Sequence, residues 1–309
     1  MAGKAGSTIV GVVTITLMTL NVLFWCMPLF VVALAKFLLP LAGWRRLMSR
    51  VLIVIAERWI YTNNLIFRLT GALRIDARGL EKLGRREWYL VVSNHRSWVD
   101  ILVLQAALTG RVPFLKFFLK QQLIWVPLLG LAWWALDFPF MRRYSAAYLA
   151  KHPQMRGKDL EATRRACEKF RQIPTSVMNF VEGTRFTPAK HDALDSPYRN
   201  LLPPRAGAVA FVLSAMGGML HSMLDVTIAY RQQTPTLWDL CCGRLETVAM
   251  DVRVRTIEPW TADGDYSGDP QFRARFQAWL AGLWEQKDEL LTGLFRSDRW
   301  PPDFRPLDF

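Results

Sequence analysis

The chain has 309 residues; 51% are hydrophobic and only 21% charged, with 13 tryptophans and a formal net charge of +13. Its length allows one large domain or two small ones, and the positive charge calls for an anionic partner, which the apolar, tryptophan-rich composition makes lipid rather than nucleic acid. Cys26, Cys167, Cys241 and Cys242 show neither a CxxC nor a Cys/His spacing, which excludes a disulfide scaffold and a cysteine metal site.

No charged residue occurs between Lys4 and Lys36, and residues 7–35 read STIVGVVTITLMTLNVLFWCMPLFVVALA. A helix needs about 20 apolar residues to cross a bilayer, so this run predicts a membrane helix that Pro28 kinks or breaks into a re-entrant hairpin. No A-x-A-like site follows that would make it a cleaved signal peptide. Lys4 stands alone before the run and Lys36, Arg45, Arg46 and Arg50 follow it, which puts the C-terminal side in the cytoplasm, at the inner membrane in a bacterium. Residues 44–69 place Leu47, Val51, Val54, Ile55 and Trp59 at helical spacing among basic residues, as in a helix lying in the headgroup layer or one packing on a core. Residues 1–70 therefore read as a membrane anchor, and a chain beginning near Gly71 is expected to keep its chemistry.

From 71 to 309 strands alternate with helices, which predicts an α/β domain with a mixed sheet flanked by helices. Strands are expected at 73–77, 88–93, 138–141, 176–181, 224–230 and 247–257. Helices are expected at 99–108, 158–172, 207–216 and 270–295. An apolar segment at 120–134 is interrupted by Pro127 and Gly130, and the proline-containing tail, 299–309, is expected to be irregular.

Two strands run straight into polar clusters, the position where open α/β folds place their sites. After 88–93 comes Asn94-His95-Arg96-Ser97-Trp98-Val99-Asp100. An Asp five residues after a His, across a tight turn, can accept from one ring nitrogen and leave the other free to take a proton. Ser97 is placed to cap the helix that follows. No second His or carboxylate follows at metal-ligand spacing. After 176–181 comes Glu182-Gly183-Thr184-Arg185, in which Gly183 permits a tight turn and Arg185 offers a planar fork suited to phosphate oxygens. Phe140 and Arg143 close a third block, and Pro203-Pro204-Arg205 form a rigid turn before a helix.

In order and spacing these blocks resemble the glycerolipid acyltransferase family that includes the 1-acylglycerol-3-phosphate acyltransferases. Asn94, His95 and Asp100 match its NHxxxxD motif, Phe140 and Arg143 its FxxR motif, and Glu182 to Arg185 its EGTR motif. The proline turn matches its fourth block loosely, and the resemblance covers roughly residues 75–235. It implies that His95 is the general base, oriented by Asp100. It also implies that Arg143, Glu182, Gly183, Thr184 and Arg185 bind substrate, with Asn94, Ser97, Lys120, Pro204 and Arg205 as further candidates. The reaction implied moves a fatty acyl group from acyl-CoA or acyl-carrier protein to 1-acyl-sn-glycerol-3-phosphate, making phosphatidic acid without a metal or redox cofactor. The NHRSWVD wording, Lys116 and Lys120 ahead of Pro127 and Gly130, and the Pro204-Arg205 step look like a subgroup that also acylates lysophosphatidylinositol and lysocardiolipin, so a remodelling acceptor (lysophosphatidylinositol-like, lysophosphatidylglycerol or lysocardiolipin) stays open. The partners implied are a lysophospholipid, an acyl thioester and membrane lipid. A non-catalytic protein binding anionic lipid is the alternative of another class. It would leave the complete NHxxxxD and EGTR pair idle, and the scattered Lys and Arg do not form one binding run.

Overall fold

A computed structural model describes residues 4–141, 167–231, 234–297, 300 and 304–309. Two long helices, α1 (Lys4–Leu38) and α2 (Ala42–Thr70), precede a sheet domain. In chain order this comprises β1 (Ile75–Arg78), β2 (Tyr89–Ser93), α3 (Val99–Leu108), β3 (Leu115–Phe117), β4 (Leu119–Lys120), α4 (Leu129–Ala135), β5 (Phe140–Met141) and β6 (Ser176–Phe180). It continues through α5 (Pro188–Ala193), α6 (Ala206–Met216), β7 (Ser222–Ala229), α7 (Leu237–Cys241), β8 (Val248–Thr256), α8 (Pro270–Arg296) and β9 (Arg305–Pro306).

Seven strands form one mixed sheet in the order β3-β6-β2-β7-β8-β1-β9. The first four run parallel, β8 turns antiparallel to β7, β1 is parallel to β8, and β9 closes the edge antiparallel to β1. The central strand shows why both faces must be covered. β2 reads YLVVS and is buried throughout; its alternation sends Tyr89 and Val91 to one core and Leu90 and Val92 to the other. The first core is closed by α2, α3 and α4 with part of α1, and the second by α6 and α8. Asp269 caps α8 by accepting from the Gln271 and Phe272 amides, Pro270 supplies the preset first turn, and Phe276, Leu280, Leu283, Trp284, Leu291 and Leu294 repeat on its buried side.

The helix α1 runs through Pro28 unbroken, and the chain reverses at residues 39–41. The missing proline amide costs one helical hydrogen bond, which the apolar turns on either side tolerate. The return helix α2 pairs with it: Asn21 Nδ2 donates to Asn63 Oδ1 (2.9 Å) and Trp25 Nε1 to Thr62 Oγ1 (3.2 Å). Gly71, at φ +64°, ends α2 in the left-handed conformation. The two helices differ in what they bury. Leu52, Ala56, Ile60 and Phe67 of α2 belong to the first core, whereas Phe24, Val31 and Phe37 of α1 are 58%, 69% and 67% exposed. The expectation that a chain beginning near Gly71 keeps its chemistry does not fit this packing, because α2 covers one face of the sheet.

The tail is not wholly irregular either. Pro306 stands opposite Asp76, and the Leu307 amide donates to the Ile75 carbonyl (2.8 Å). A proline is tolerated there because β9 is an edge strand. The expected strand at 138–141 is shorter, Phe140–Met141, and pairs with β4 outside the main sheet. Of the helix expected at 158–172, residues 158–166 lie outside the described residues.

Leu52→Ala in the full chain is expected to cost about 2–5 kcal/mol, as for a large-to-small change in a packed core. Leu20→Ala on the exposed side of α1 is expected to leave stability in detergent nearly unchanged. Denaturant unfolding of the two purified variants checks the contrast, and equal losses would mean α1 is packed like α2.

Candidate active site

The site forms where β2 and β6 end side by side. Ser93 pairs with Phe180, so the segments that follow, Asn94 to Asp100 and Val181 to Arg185, leave the sheet together. Asn94 extends the ladder with its side chain: Nδ2 donates to the Ile228 carbonyl and Oδ1 accepts from the Ile228 amide, each at 2.9 Å. This ties the turn to β7 and makes Asn94 a structural staple, buried from any ligand.

Within the turn everything converges on Asp100, a fully buried carboxylate. Its Oδ2 accepts from the Arg96 amide (2.6 Å) and the Ser97 amide (2.9 Å) and lies 2.8 Å from His95 Nδ1; its Oδ1 accepts from the Tyr230 hydroxyl (2.6 Å). An oxygen already receiving two backbone N–H groups is an acceptor, so His95 must carry its proton on Nδ1. That fixes the tautomer and leaves Nε2 with a free lone pair. Among the described residues Nε2 has no hydrogen-bond partner. The imidazole stacks on Phe180, with centroids 3.9 Å apart and planes 14° from parallel. Ser97 Oγ accepts from the Val99 amide (3.1 Å) and donates to the Pro235 carbonyl (2.5 Å), so it caps the start of α3 as expected.

His95 lines a cavity of about 140 Å³ with Phe117, Leu119, Lys120, Phe180 and Gly183. Gly183, at φ +68°, closes a turn in which its amide donates to the Phe180 carbonyl (2.9 Å). Arg185 is exposed and lies 5.1 Å from the Trp98 ring centroid, a cation–π contact that holds the guanidinium beside the His95 turn. Lys190 Nζ donates to Thr184 Oγ1 (2.7 Å) and the Arg185 carbonyl (2.9 Å), adding a cation to the EGTR turn. The proline turn joins the same assembly, because the Arg205 amide donates to the Val181 carbonyl (2.8 Å). The Arg205 side chain is exposed, Pro204 is half-buried, and neither lines the cavity. Arg143 lies outside the described residues.

Glu182 is placed differently from its neighbours. It is buried, does not line the cavity, and its carboxylate has no hydrogen-bond partner of normal geometry among the described residues. Burial pushes its pKa up to about 8, although the Arg96 guanidinium and the His95 backbone amide pull the other way. Arg96 is in turn held by the Asn200 carbonyl (2.8 Å) and stacks 4.6 Å from the Phe186 ring centroid. Chemically, the site offers an imidazole whose Nδ1 is held by Asp100 and whose Nε2 is open, beside a partly apolar cavity with cations at its rim.

A family model described as Acyltransferase matches residues 74–231, just over half of the chain, and spans every one of these elements. The chain belongs to the acyltransferase family. It is 28% identical over 243 residues to 1-acyl-sn-glycerol-3-phosphate acyltransferase 3 of Arabidopsis thaliana, covering 73% of this chain and 58% of that one. It is 26% identical over 271 residues to the gamma 1-acyl-sn-glycerol-3-phosphate acyltransferase of Mus musculus, covering 82% and 65%. The chain thus spans about six tenths of the length of these curated relatives. In fold it is similar to the crystal structure of the 1-acyl-sn-glycerophosphate (LPA) acyltransferase PlsC of Thermotoga maritima, with a TM-score of 0.54 at 16% identity, covering 90% of this chain and 95% of that one.

Two residues at this candidate site escaped the sequence reading, Tyr230 and Lys190. Tyr230 lies 130 residues from Asp100, and only its position at the end of an expected strand hinted that it reaches the strand-end site. Lys190 carried no signal, because it sits in the short helix α5 that periodicity does not reveal.

The raised pKa of Glu182 has a consequence for stability. The folded state holds this proton up to about pH 8, whereas a solvated glutamate releases it near 4.5. Its contribution is therefore fully present below pH 4.5 and is lost as pH rises through 8. Glu182→Gln should show a shallower fall in melting temperature between pH 5 and pH 8.5 than the parent chain. Parallel melting curves would contradict the assignment.

Proposed function

We propose that this chain is a membrane-associated O-acyltransferase that moves a fatty acyl group from a coenzyme A or carrier-protein thioester to the free hydroxyl of 1-acyl-sn-glycerol-3-phosphate. The observation that carries the reading is the His95–Asp100 pair, with the tautomer fixed by two backbone amides and Nε2 open beside a cavity. The names of the relatives support the acceptor.

The acceptor hydroxyl gives its proton to His95 Nε2 as its oxygen attacks the thioester carbonyl. Asp100 stabilises the imidazolium that forms, and Tyr230 holds the carboxylate that does so. The tetrahedral intermediate collapses with loss of the thiolate, which takes the proton from the imidazolium; the ester bond has formed and the carbon–sulfur bond has broken. Arg185, steadied by Trp98, and Lys190 hold the acceptor phosphate, together with Arg143. Phe117, Phe180 and Leu119 form the apolar wall beside the reacting carbon. The exposed apolar side of α1 brings the site to the membrane that holds the lysophospholipid acceptor, and the excess of Lys36, Arg45, Arg46 and Arg50 after the apolar run supports a cytoplasmic side for the body.

An acyl-transfer assay with radiolabelled acyl-CoA across a panel of lysophospholipids tests the proposal. Labelled phosphatidic acid is the expected main product. A preference for another headgroup would reassign the acceptor, and no transfer to any would sink the activity. His95→Ala is expected to lower kcat about 100- to 10,000-fold with an unchanged melting temperature. A folded variant with near-normal kcat would remove His95 from the chemistry.

Arg185→Ala is expected to weaken acceptor binding by about 1.5–3 kcal/mol, read as a raised acceptor KM, with Arg185→Lys intermediate because it lacks the fork. A normal acceptor KM would show that the phosphate sits elsewhere. Tyr230→Phe should lower kcat with little change in KM, since Tyr230 acts through Asp100. A loss of melting temperature with full kcat would instead make it a packing residue.

A further inference from the structure

A second cavity, of about 410 Å³, opens where the tip of the α1–α2 hairpin meets the edge of the sheet. Among the described residues it shares no lining residue with the His95 cavity. Thr175 on its wall immediately precedes β6, while Phe180 beneath His95 ends that strand; at about 3.3 Å per residue the two stand roughly 16 Å apart. Five cations line it: Lys36 from α1, Arg45 and Arg46 from α2, Lys116 from β3, and Lys169. Among the described residues Asp137 is the single acidic residue on the wall, and its two oxygens are already taken by Lys36 (2.6 Å) and Lys169 (3.1 Å).

The residue that points to a ligand is Lys116. Its side chain is buried, its ammonium lies 4.9 Å from the Phe170 ring centroid, and among the described residues no acceptor hydrogen-bonds it. A buried ammonium without an acceptor is costly, and burial pulls this one down to about 8, with Asp137 opposing. An anion in the cavity would supply the missing acceptor and balance four uncompensated positive charges.

The surroundings identify the anion's source. Phe37 and Ile53 carry the wall from the cations onto the hairpin, where Val31, Leu34 and Phe37 form the exposed apolar side of α1. A soluble phosphate has no use for that surface, whereas the acyl chains of a lipid do. We propose that this cavity is a second lipid site, distinct from the catalytic one, which binds the phosphate headgroup of an anionic phospholipid of the surrounding membrane. The cations grip the phosphate where the apolar run of α1 ends, the depth at which headgroups lie. A filled site pins the hairpin tip to the edge strand β3, whose next residue, Phe117, lines the His95 cavity.

The test uses the full chain in an uncharged detergent, with melting temperature read after adding dioleoylphosphatidylglycerol, dioleoylphosphatidylcholine or inorganic phosphate. Phosphatidylglycerol is expected to raise it by several degrees and the other two by little. Arg45→Gln/Arg46→Gln, both exposed positions, should remove most of that rise, as should Lys116→Met. Lys82→Gln/Arg86→Gln, which removes as much charge elsewhere, should keep it. A rise that survives Arg45→Gln/Arg46→Gln, or that phosphatidylcholine matches, overturns the site. An equal rise with inorganic phosphate overturns its lipid source. The proposal rests on the membrane-facing reading of α1, and the two fail differently. A parent chain that binds vesicles of no composition refutes that reading. A parent chain that binds vesicles but shows no rise specific to phosphatidylglycerol refutes the lipid site alone.

Discussion

A buried carboxylate is costly unless both its oxygens are hydrogen-bonded, and Asp100 meets that demand by drawing four donors from two distant stretches of chain. Two backbone amides come from its own turn, the imidazole from the residue that opens the turn, and the phenol from the residue just past β7. The geometry of the candidate site follows from this requirement. With the amides of Arg96 and Ser97 on Oδ2, His95 can approach in one tautomer only. With Tyr230 on Oδ1, the carboxylate plane cannot rotate. The parallel pairing of β2 with both β6 and β7 is what brings these groups to one end of the sheet.

The charges elsewhere follow the same rule in varying degrees. Asp225 on β7 faces Lys287 of α8 at 2.6 Å and Arg255 of β8 at 2.9 Å. Burial alone would raise the Asp225 carboxyl, but the two facing cations bring it below its usual value. Lys287 also donates to the Val226 carbonyl and the Thr227 hydroxyl. A buried pair of this kind contributes more to register than to stability. Here it fixes α8 on the strand that delivers Ile228 to Asn94 and Tyr230 to Asp100. Glu182 and Lys116 are the counterexamples. In neither case do the surrounding groups offset burial, and both shift toward their neutral forms.

What could be read from the sequence was local. The strand at 88–93 and the helix at 99–108 carry their own signals in residue type and spacing, so the His95–Asp100 turn between them was placed from its immediate surroundings. The EGTR turn was legible for the same reason, since a buried strand leads into a glycine whose φ of +68° few other residues adopt. The hairpin was only half legible. Pro28 suggested a break, yet the reversal falls at 39–41, where the apolar run gives way to Pro40 and the basic residues of α2. Whether α2 lies in the headgroup layer or on the sheet depends on what faces Leu52, Ile60 and Phe67, and an amphipathic pattern is the same in either case. Tyr230 on Asp100 and β9 on β1 are long-range pairings that no local period encodes.

On the proposed membrane-facing reading of α1, the hairpin resolves a conflict between two solvents. An α/β sheet needs both faces covered by helices, while a membrane enzyme must expose apolar surface to lipid. A single helix cannot serve both ends, because one apolar stripe faces one way. Here the work is divided. α2 turns its apolar stripe to the sheet and its arginines outward, and α1 packs on α2 through Asn21 and Trp25 with most of its apolar circumference exposed. The polar bridges between them matter because an apolar interface alone would not fix the rotation of α1 once lipid competes for the same surface. Held this way, α1 keeps Lys36 and Phe37 at the mouth of the cationic cavity and on the side where β3 carries Lys116 inward and Phe117 toward His95. One run of packed elements, from the end of α1 through α2 to the sheet, thereby links the exposed apolar surface of α1 to the strand ends that carry His95.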